Sequence, residues 1–266
     1  MSKQERWSKL LELLAVAGKL DVEEAAVSVA VSPATIRRDL DELAEQKLLV
    51  RTRGGAIEHG VSYELPLRYK SSRRVSEKQR IASAVADLLG AGDVVGLNGG
   101  TTTTEVARAL VLRAGGGPAE RGEGSSGPMY TIVTNALNIA GELAVRPQFK
   151  IVVTGGVARP QTYELVGPLT EGVLSQVVLD VAVLGVDGVD PRLGVMTHHE
   201  DEASVSRLLA ERARKVILAT DSSKMGKRAF ARICGLDRID VLVTDSGLAP
   251  DMAARLTEAG IEVVSV

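Results

Sequence analysis

The chain has 266 residues, room for one small and one ordinary domain with a sizeable core, and its 34 acidic and 32 basic side chains leave it close to neutral. That balance excludes binding to nucleic acid or membrane by bulk charge, and no apolar run is long enough to span a bilayer. A lone cysteine, Cys234, excludes an internal disulfide, and no leader-like segment opens the chain, so a cytoplasmic protein is expected.

From Gln4 to Val16, Trp7, Leu10, Leu11 and Leu14 recur at helical spacing, and Gly18 ends the run. Asp21 is placed to cap a short helix reaching Ala30. Val31 and Ser32 then make a tight connection into a second helix, with Ser32 as its cap and Pro33 at the first position, where a missing N–H costs nothing. On a wheel of 100° per residue, Ile36, Leu40, Leu43 and Ala44 gather on one side. The opposite face carries Ala34, Thr35, Arg37 and Arg38 in its first turns and Asp41, Glu42 and Glu45 later, so only its N-terminal half can approach phosphate. Residues 48–57 then give two short extended runs around the basic, glycine-containing bend Arg51-Thr52-Arg53-Gly54-Gly55, which reads as a wing. The spacing is that of a winged helix-turn-helix over residues 1–57. Its candidate DNA-binding residues are Ser32, Ala34, Thr35, Arg37, Arg38, Arg51 and Arg53. The alternative is a small helical bundle whose arginines only solvate a surface. Residues 1–57 hold nine basic and nine acidic side chains, so the reading rests on where the charges sit, not on their sum.

Residues 58–75 lose periodicity and contain Pro66 with Arg68, Lys70, Arg73 and Arg74, which reads as a linker. From Ser76 an amphipathic helix bearing Ile81, Val85, Leu88 and Leu89 leads to Gly90, Gly92 and the strand Val94–Leu97. Apolar β-branched runs recur near 130–134, 150–154, 181–185, 215–219, 241–244 and 262–265, separated by helical stretches. The alternation predicts an α/β domain over residues 76–266, a mostly parallel sheet covered on both faces. Residues 114–128, with six glycines and two prolines, read as a surface insertion.

Ligands of open parallel sheets sit beyond the carboxyl ends of the strands, so the residues following each strand are the candidates. After Leu97 comes Asn98-Gly99-Gly100-Thr101-Thr102-Thr103-Thr104, opening a helix. Its glycines admit close approach, and its amides and hydroxyls suit an anion. No Gly-Lys-Ser/Thr follows at P-loop spacing, and the three spaced glycines of a dinucleotide turn are absent. Asn135, Gly155, Asp187, Asp190 and Lys224 follow later strands and complete the candidate effector-binding set: carboxylates suit sugar hydroxyls and an ammonium suits phosphate. Taken singly, Asp187-Gly188 and Asp190-Pro191 are also ordinary turns, and Asp221 could be a cap with Lys224 facing solvent. His198-His199-Glu200-Asp201-Glu202 completes no metal-ligand set and reads as the acidic first turn of a helix. No metal, cofactor or catalytic residue is expected.

Thr35-Ile36-Arg37-Arg38-Asp39-Leu40 followed by Arg51-Thr52-Arg53-Gly54-Gly55-Ala56 resembles the DeoR family of bacterial transcriptional regulators. The resemblance continues through Lys78–Ala82, Asn98–Thr102, Thr134-Asn135, Thr154–Gly156, Gly185–Asp190 and Asp221–Lys224, nearly the whole chain. It implies a regulator of carbohydrate metabolism, usually a repressor, that binds double-stranded operator DNA and answers to a phosphorylated sugar or polyol. The second domain is also similar to ribose-5-phosphate isomerases in its glycine-threonine loop, Asp187-Gly188-Val189-Asp190 and Asp221-Ser222-Ser223-Lys224. That likeness implies the rival, an isomerase-like enzyme. Those isomerases place a Lys-Gly-x-Gly segment after the aspartates, where this chain has Pro191–Met196 and no lysine; Asn98 stands where the regulators commonly have Asp. One recognition helix reads few base pairs, so a homo-oligomer, dimer or tetramer, is expected.

Overall fold

The computed structural model describes residues 1–46, 48–57, 66–70, 74–115 and 128–266, and the chain divides into two compact units, Met1–Arg73 and Arg74–Val266.

In the first unit, α1 (Lys3–Ala17) opens on a reciprocal cap in which the Ser2 hydroxyl accepts the Glu5 N–H and the Glu5 carboxylate accepts the Ser2 N–H. After β1 (Lys19–Asp21), the Asp21 carboxylate takes the amides of Glu23 and Glu24 and starts α2 (Val22–Ser28). Ser32 caps α3 (Pro33–Glu45), and β2 (Val50–Arg51) and β3 (Gly55–Ile57) form the wing. The sequence reading missed β1, which pairs antiparallel with β3. Gly55 permits that pairing, because a Cβ there would lie 1.7 Å from the Leu20 carbonyl oxygen. Trp7, Leu10, Leu14, Ile36, Leu40, Leu43, Leu49 and Ala56 form the core. Within the segment read as a linker, residues 58–65 and 71–73 lie outside the described residues. The rest includes a helical turn, α4 (Leu67–Lys70), whose Tyr69 is buried in this same core with its ring 6.5 Å from that of Trp7.

The second unit runs in chain order through α5 (Val75–Asp87), β4 (Val94–Leu97), α6 (Thr101–Gly115), β5 (Tyr130–Thr134), α7 (Leu137–Leu143), β6 (Phe149–Val153), β7 (Val157–Arg159) and β8 (Glu164–Val166). It continues with α8 (Glu171–Leu174), β9 (Leu179–Leu184), β10 (Gly188–Asp190), β11 (Gly194–Thr197), α9 (Glu200–Arg212), β12 (Ala213–Ala219), β13 (Ala231–Cys234), β14 (Val241–Thr244), α10 (Pro250–Glu258) and β15 (Glu262–Ser265). Seven strands form one parallel sheet in the order β15-β14-β12-β9-β4-β5-β6, and each grows from one of the apolar runs expected in the sequence. Both faces are covered. Ile81, Val85, Leu110 and Ile139 pack with Val95, Leu97 and Ile132 on one face, and Leu209 and Leu256 with Ala182, Leu184 and Val216 on the other. The insertion at 114–128 lies mostly outside the described residues.

The strand order fixes where a ligand can enter. From β4 the chain builds outward through β5 and β6, then returns to the other side of β4 with β9 and builds away through β12, β14 and β15. The chain leaves β4 and β9 towards opposite sides of the sheet, which makes the ends of these two strands its topological switch point, where open parallel sheets bind ligands.

Candidate DNA-binding and effector sites

On α3, Ala34, Arg37 and Arg38 are exposed and Thr35 is half-buried. Ser32 and Thr35 are occupied with each other: the Ser32 Oγ accepts the Thr35 amide and lies 2.9 Å from the Thr35 hydroxyl, so both hydroxyls secure the helix start. Arg37 pairs across the helix-turn-helix with Glu23 at 3.0 Å. Arg38 has no ion pair among the described residues. The helix is set by a residue the sequence reading assigned no role. Asp39, 2 % exposed, accepts two hydrogen bonds from the Arg6 guanidinium and one of 2.9 Å from the Trp7 indole, which lock α3 to α1. Burial resists its ionisation, but the bonds from Arg6 and Trp7 outweigh it and hold the carboxyl below its ordinary range. Its position, three after Ile36 and four before Leu43, places an acid on the apolar stripe and was the available signal.

In the wing, Arg51 donates to Asp41 of α3 at 2.6 Å and to the carbonyl of Gly55, so it braces the bend against the helix. Arg53 stands exposed with no ion pair among the described residues.

At the switch point, Asn98 is buried and fully employed. Its Nδ2 donates to the Gly185 carbonyl at 2.8 Å and to Ser206 at 3.0 Å, and its Oδ1 accepts the Gly185 amide at 2.8 Å. It therefore clasps the ends of β4 and β9 together, a task an aspartate could not perform on a carbonyl. Where an effector carboxamide was expected, the structure has a structural clasp. Gly99 and Gly100 carry the chain into α6. The Thr104 amide makes the helical bond back to the Gly100 carbonyl, and the amides ahead of it are left by helix geometry without a ladder acceptor. The hydroxyls of Thr103 and Thr104 donate to that carbonyl at 3.2 and 2.6 Å and brace the turn, whereas Thr101 opens the helix half-buried and Thr102 is buried behind it.

Beyond β5, Asn135 is fully buried and gives its Nδ2 to Glu164 at 2.9 Å and to the Leu165 carbonyl at 3.1 Å. Beyond β6, Gly155 turns in the left-handed region towards β7. Beyond β9, Asp187 accepts the Thr197 hydroxyl at 3.0 Å and lies 3.5 Å from the Lys224 ammonium. Lys224 ends a short turn that Asp221 starts by accepting the Ser223 amide, while Asp245 takes the Ser222 amide and hydroxyl. Asp221 is thus a cap, as the alternative allowed, but Lys224 turns to Asp187. Asp190 is placed elsewhere: Arg228 donates to it at 2.6 Å and the amides of Arg192 and Leu193 at 2.8 and 3.1 Å, so it closes the β10–β11 hairpin. Those bonds, Arg228 first, hold its carboxyl down at about 2.

Two buried carboxylates were missed. Glu202, 3 % exposed in the first turn of α9, accepts Arg159 at 2.9 Å and Thr162 at 2.8 Å and lies 3.5 Å from the Thr197 hydroxyl that also serves Asp187. Its signal was the spacing to Ser206 and Leu209, which marks the buried stripe of α9. Glu164 sits in β8 between residues no periodicity singles out. Among the described residues no cluster of His, Cys, Asp and Glu could hold a metal ion, and no helix is long and apolar enough to cross a membrane.

A family model described as a DeoR-like helix-turn-helix domain matches residues 6–59, and one described as the DeoR C terminal sensor domain matches residues 73–246. The chain is 32 % identical to the glycerol-3-phosphate regulon repressor of Escherichia coli K12 over 99 % of both chains. It is 34 % identical to the HTH-type transcriptional regulator GlpR of Haloferax volcanii, over 99 % of this chain and 98 % of that one. Among solved structures, ribose 5 phosphate isomerase A from Neisseria gonorrhoeae is 18 % identical, with a TM-score of 0.39 over 57 % of this chain and 53 % of that one.

Proposed function

The chain belongs to the DeoR family of transcriptional regulators, and from that membership we propose that it is a cytoplasmic repressor of a carbohydrate-metabolism operon, released from its operator by a phosphorylated sugar or polyol. In this reading α3 enters the major groove with Arg38 towards base edges, while Arg53 meets backbone phosphate from the wing. The effector lies in the crevice outside β4 and β9. Its phosphate is held by the amides at the start of α6 and by the Lys224 ammonium, and Asp187 takes a hydroxyl. The observation that carries the reading is the Lys224–Asp187 pair at 3.5 Å: cation and carboxylate, delivered by different strands, offer a phosphate partner and a hydroxyl partner side by side.

Release follows if the effector favours an arrangement of paired DNA-binding units that fits the operator less well, since a ligand indifferent between two states shifts nothing. At least two copies act together, because half-sites are read in pairs. Pro191–Met196 supplies no lysine, so no catalytic step is assigned to the sensor unit. The test takes genomic fragments captured by the full-length protein and follows their release by fluorescence anisotropy while phosphorylated polyols and sugars are titrated in. Release by one phosphorylated compound, and not by its dephosphorylated form, is expected. No captured sequence, or equal release by the dephosphorylated form, overturns the reading.

A further inference from the structure

Arg74, the first residue of the second unit, departs twice from what a helix start asks. Its carbonyl accepts the Lys78 amide at 3.1 Å and so places it at the cap of α5, yet its side chain accepts none of the amides that a serine or aspartate would take there. Its backbone, at φ 49° and ψ 47°, lies in the left-handed region, which a residue with a Cβ rarely enters and keeps only where its surroundings impose it. Among the described residues its ion-pair partner is Asp221, whose Oδ1 lies 3.7 Å from the Arg74 Nε. The arginine side chain is 43 % exposed and the carboxylate 5 %, so the acid is the fixed end of the pair and the arginine the end that can move.

The oxygen that faces Arg74 has a second task. It also accepts the Ser223 amide at 3.1 Å and the Ser223 hydroxyl, and so starts the turn Ser222–Lys224 that brings Lys224 to within 3.5 Å of Asp187. One atom therefore joins the entry to α5 with the turn that carries the ammonium. Resting on the effector reading above, we propose that Arg74 is a positioning residue that couples the effector site to the chain entering the sensor unit. While Lys224 faces Asp187, the shared oxygen holds Arg74 in the left-handed region. A phosphate that draws Lys224 off Asp187 shifts the short turn and its Asp221 oxygen together, and a partly exposed pair is weak enough for a ligand to break. Arg74 then relaxes. A change of φ at residue 74 to the right-handed value turns the chain before it by about 110° relative to α5. The two states of residue 74 thus differ in their interaction with the effector, as any ligand-driven shift requires.

The test uses the full-length protein, an operator fragment captured by the parent, and two probes, inorganic phosphate and glycerol 3-phosphate. Fluorescence anisotropy reads operator affinity with and without probe, and isothermal titration reads probe affinity without DNA. Arg74→Ala loses the pair and the reason to stay left-handed, so it should hold the operator about tenfold more weakly than the parent before any probe is added, within the usual range of coupling between sites. It should bind inorganic phosphate at least as tightly as the parent, because no pair is left to break. Its remaining operator affinity should respond less to glycerol 3-phosphate. A damaged fold cannot weaken one ligand and spare or strengthen the other. Arg74→Lys keeps a cation for Asp221 and should stay within about threefold of the parent in every titration. Should Arg74→Ala not fold, Arg74→Gly enters the left-handed region without the pair and should fall between the parent and Arg74→Lys on one side and a fully uncoupled protein on the other, with a reduced operator response to the probe. Operator affinity and probe response equal to the parent's in Arg74→Ala or Arg74→Gly, or a parallel loss of operator and phosphate binding, overturns the role of Arg74 and leaves the effector reading standing. A parent that binds neither probe, or whose operator complex ignores both, overturns the effector reading and the coupling with it.

Discussion

On the outer face of α3 and at the wing bend, Arg38 and Arg53 are exposed with no ion pair among the described residues, whereas at the switch point Asp187, Thr197, Glu202 and Lys224 are held by one another. On the function proposed above, the difference follows from the two kinds of partner. DNA brings about one negative charge per 1.7 Å of helix axis and a released counterion atmosphere, so a solvated arginine on a long stem can find it without prior alignment. A small ligand contributes few contacts and cannot organise its own site, so its partners must be aligned before it arrives. Arg37 and Arg51 fall between the two, each tied to a carboxylate of its own unit. The buried Asp39 shows the limit of the contrast, since even the helix proposed to face DNA depends on one prearranged ionic clasp beneath it.

The largest effect expected of any single change lies at that clasp. Asp39→Ala leaves Arg6 largely buried without its partner and should destabilise the first unit by about 3 kcal/mol, the scale for breaking a buried pair from one side. Trp7, the lone tryptophan, sits at the clasp, so its fluorescence during urea unfolding reports this unit alone. A loss below about 1 kcal/mol, the worth of an exposed pair, would show that the clasp is no firmer than the surface. In the sensor unit the corresponding change is Lys224→Ala. It should weaken the phosphorylated effector by about 1.5–3 kcal/mol, ten- to a hundredfold, while operator affinity without effector stays at the parent value. An unchanged effector titration would remove Lys224 from the site and with it half of the contrast.

Much of both regions was legible because periodicity and caps are local. Ser32-Pro33 announced α3, and the seven apolar runs became the seven parallel strands, since a strand buried on both faces is written as an uninterrupted apolar run. The partners of the candidate residues were not legible. Asn98 and Gly185 are 87 residues apart, and whether an amide serves a ligand or a neighbouring strand depends on which strands adjoin. Asp190 and Asp187 look alike in Asp187-Gly188-Val189-Asp190, yet the hairpin that separates their tasks pairs β10 with β11 over segments too short to show alternation. Glu164 and Glu202 were hidden for the same reason: a buried carboxylate is recognised by its donors, and these come from elsewhere in the fold.

On the DNA side the effects should be smaller and divide by role. If Arg38 reads a base, Arg38→Ala should weaken the operator by about 1–3 kcal/mol and relax its sequence preference. Arg53→Ala should weaken specific and unrelated DNA alike and lower the dependence of log K on log salt by about one unit, as the loss of one phosphate contact requires. Gel-shift titrations at several salt concentrations separate the two. Arg51→Ala, which unties the wing from Asp41, should lower affinity without that unit change in slope. If Arg51 and Arg53 gave the same slope, the distinction between a bracing and a contacting arginine would fall.

The smallest effect is expected at Asp190, where the sensor unit's habit of engaging its charges can be read as pH dependence. Arg228 and two backbone amides hold this carboxyl at about 2 in the folded chain, whereas in the unfolded chain it returns to about 3.9. A carboxyl whose folded value is depressed contributes stability that is fully present above its unfolded value and is lost as pH falls through the folded one. The contribution should therefore be constant above about pH 4 and fade between about 4 and 2. Other carboxylates titrate over the same range, so the quantity to measure is the difference in urea stability between the parent and Arg228→Ala, taken pH by pH and followed by far-ultraviolet circular dichroism. That difference should hold steady from pH 7 to about 4 and then close towards zero as Asp190 is protonated in both proteins. A difference that persists unchanged to pH 2 would mean that Arg228 stabilises the hairpin by packing its stem, not by its charge.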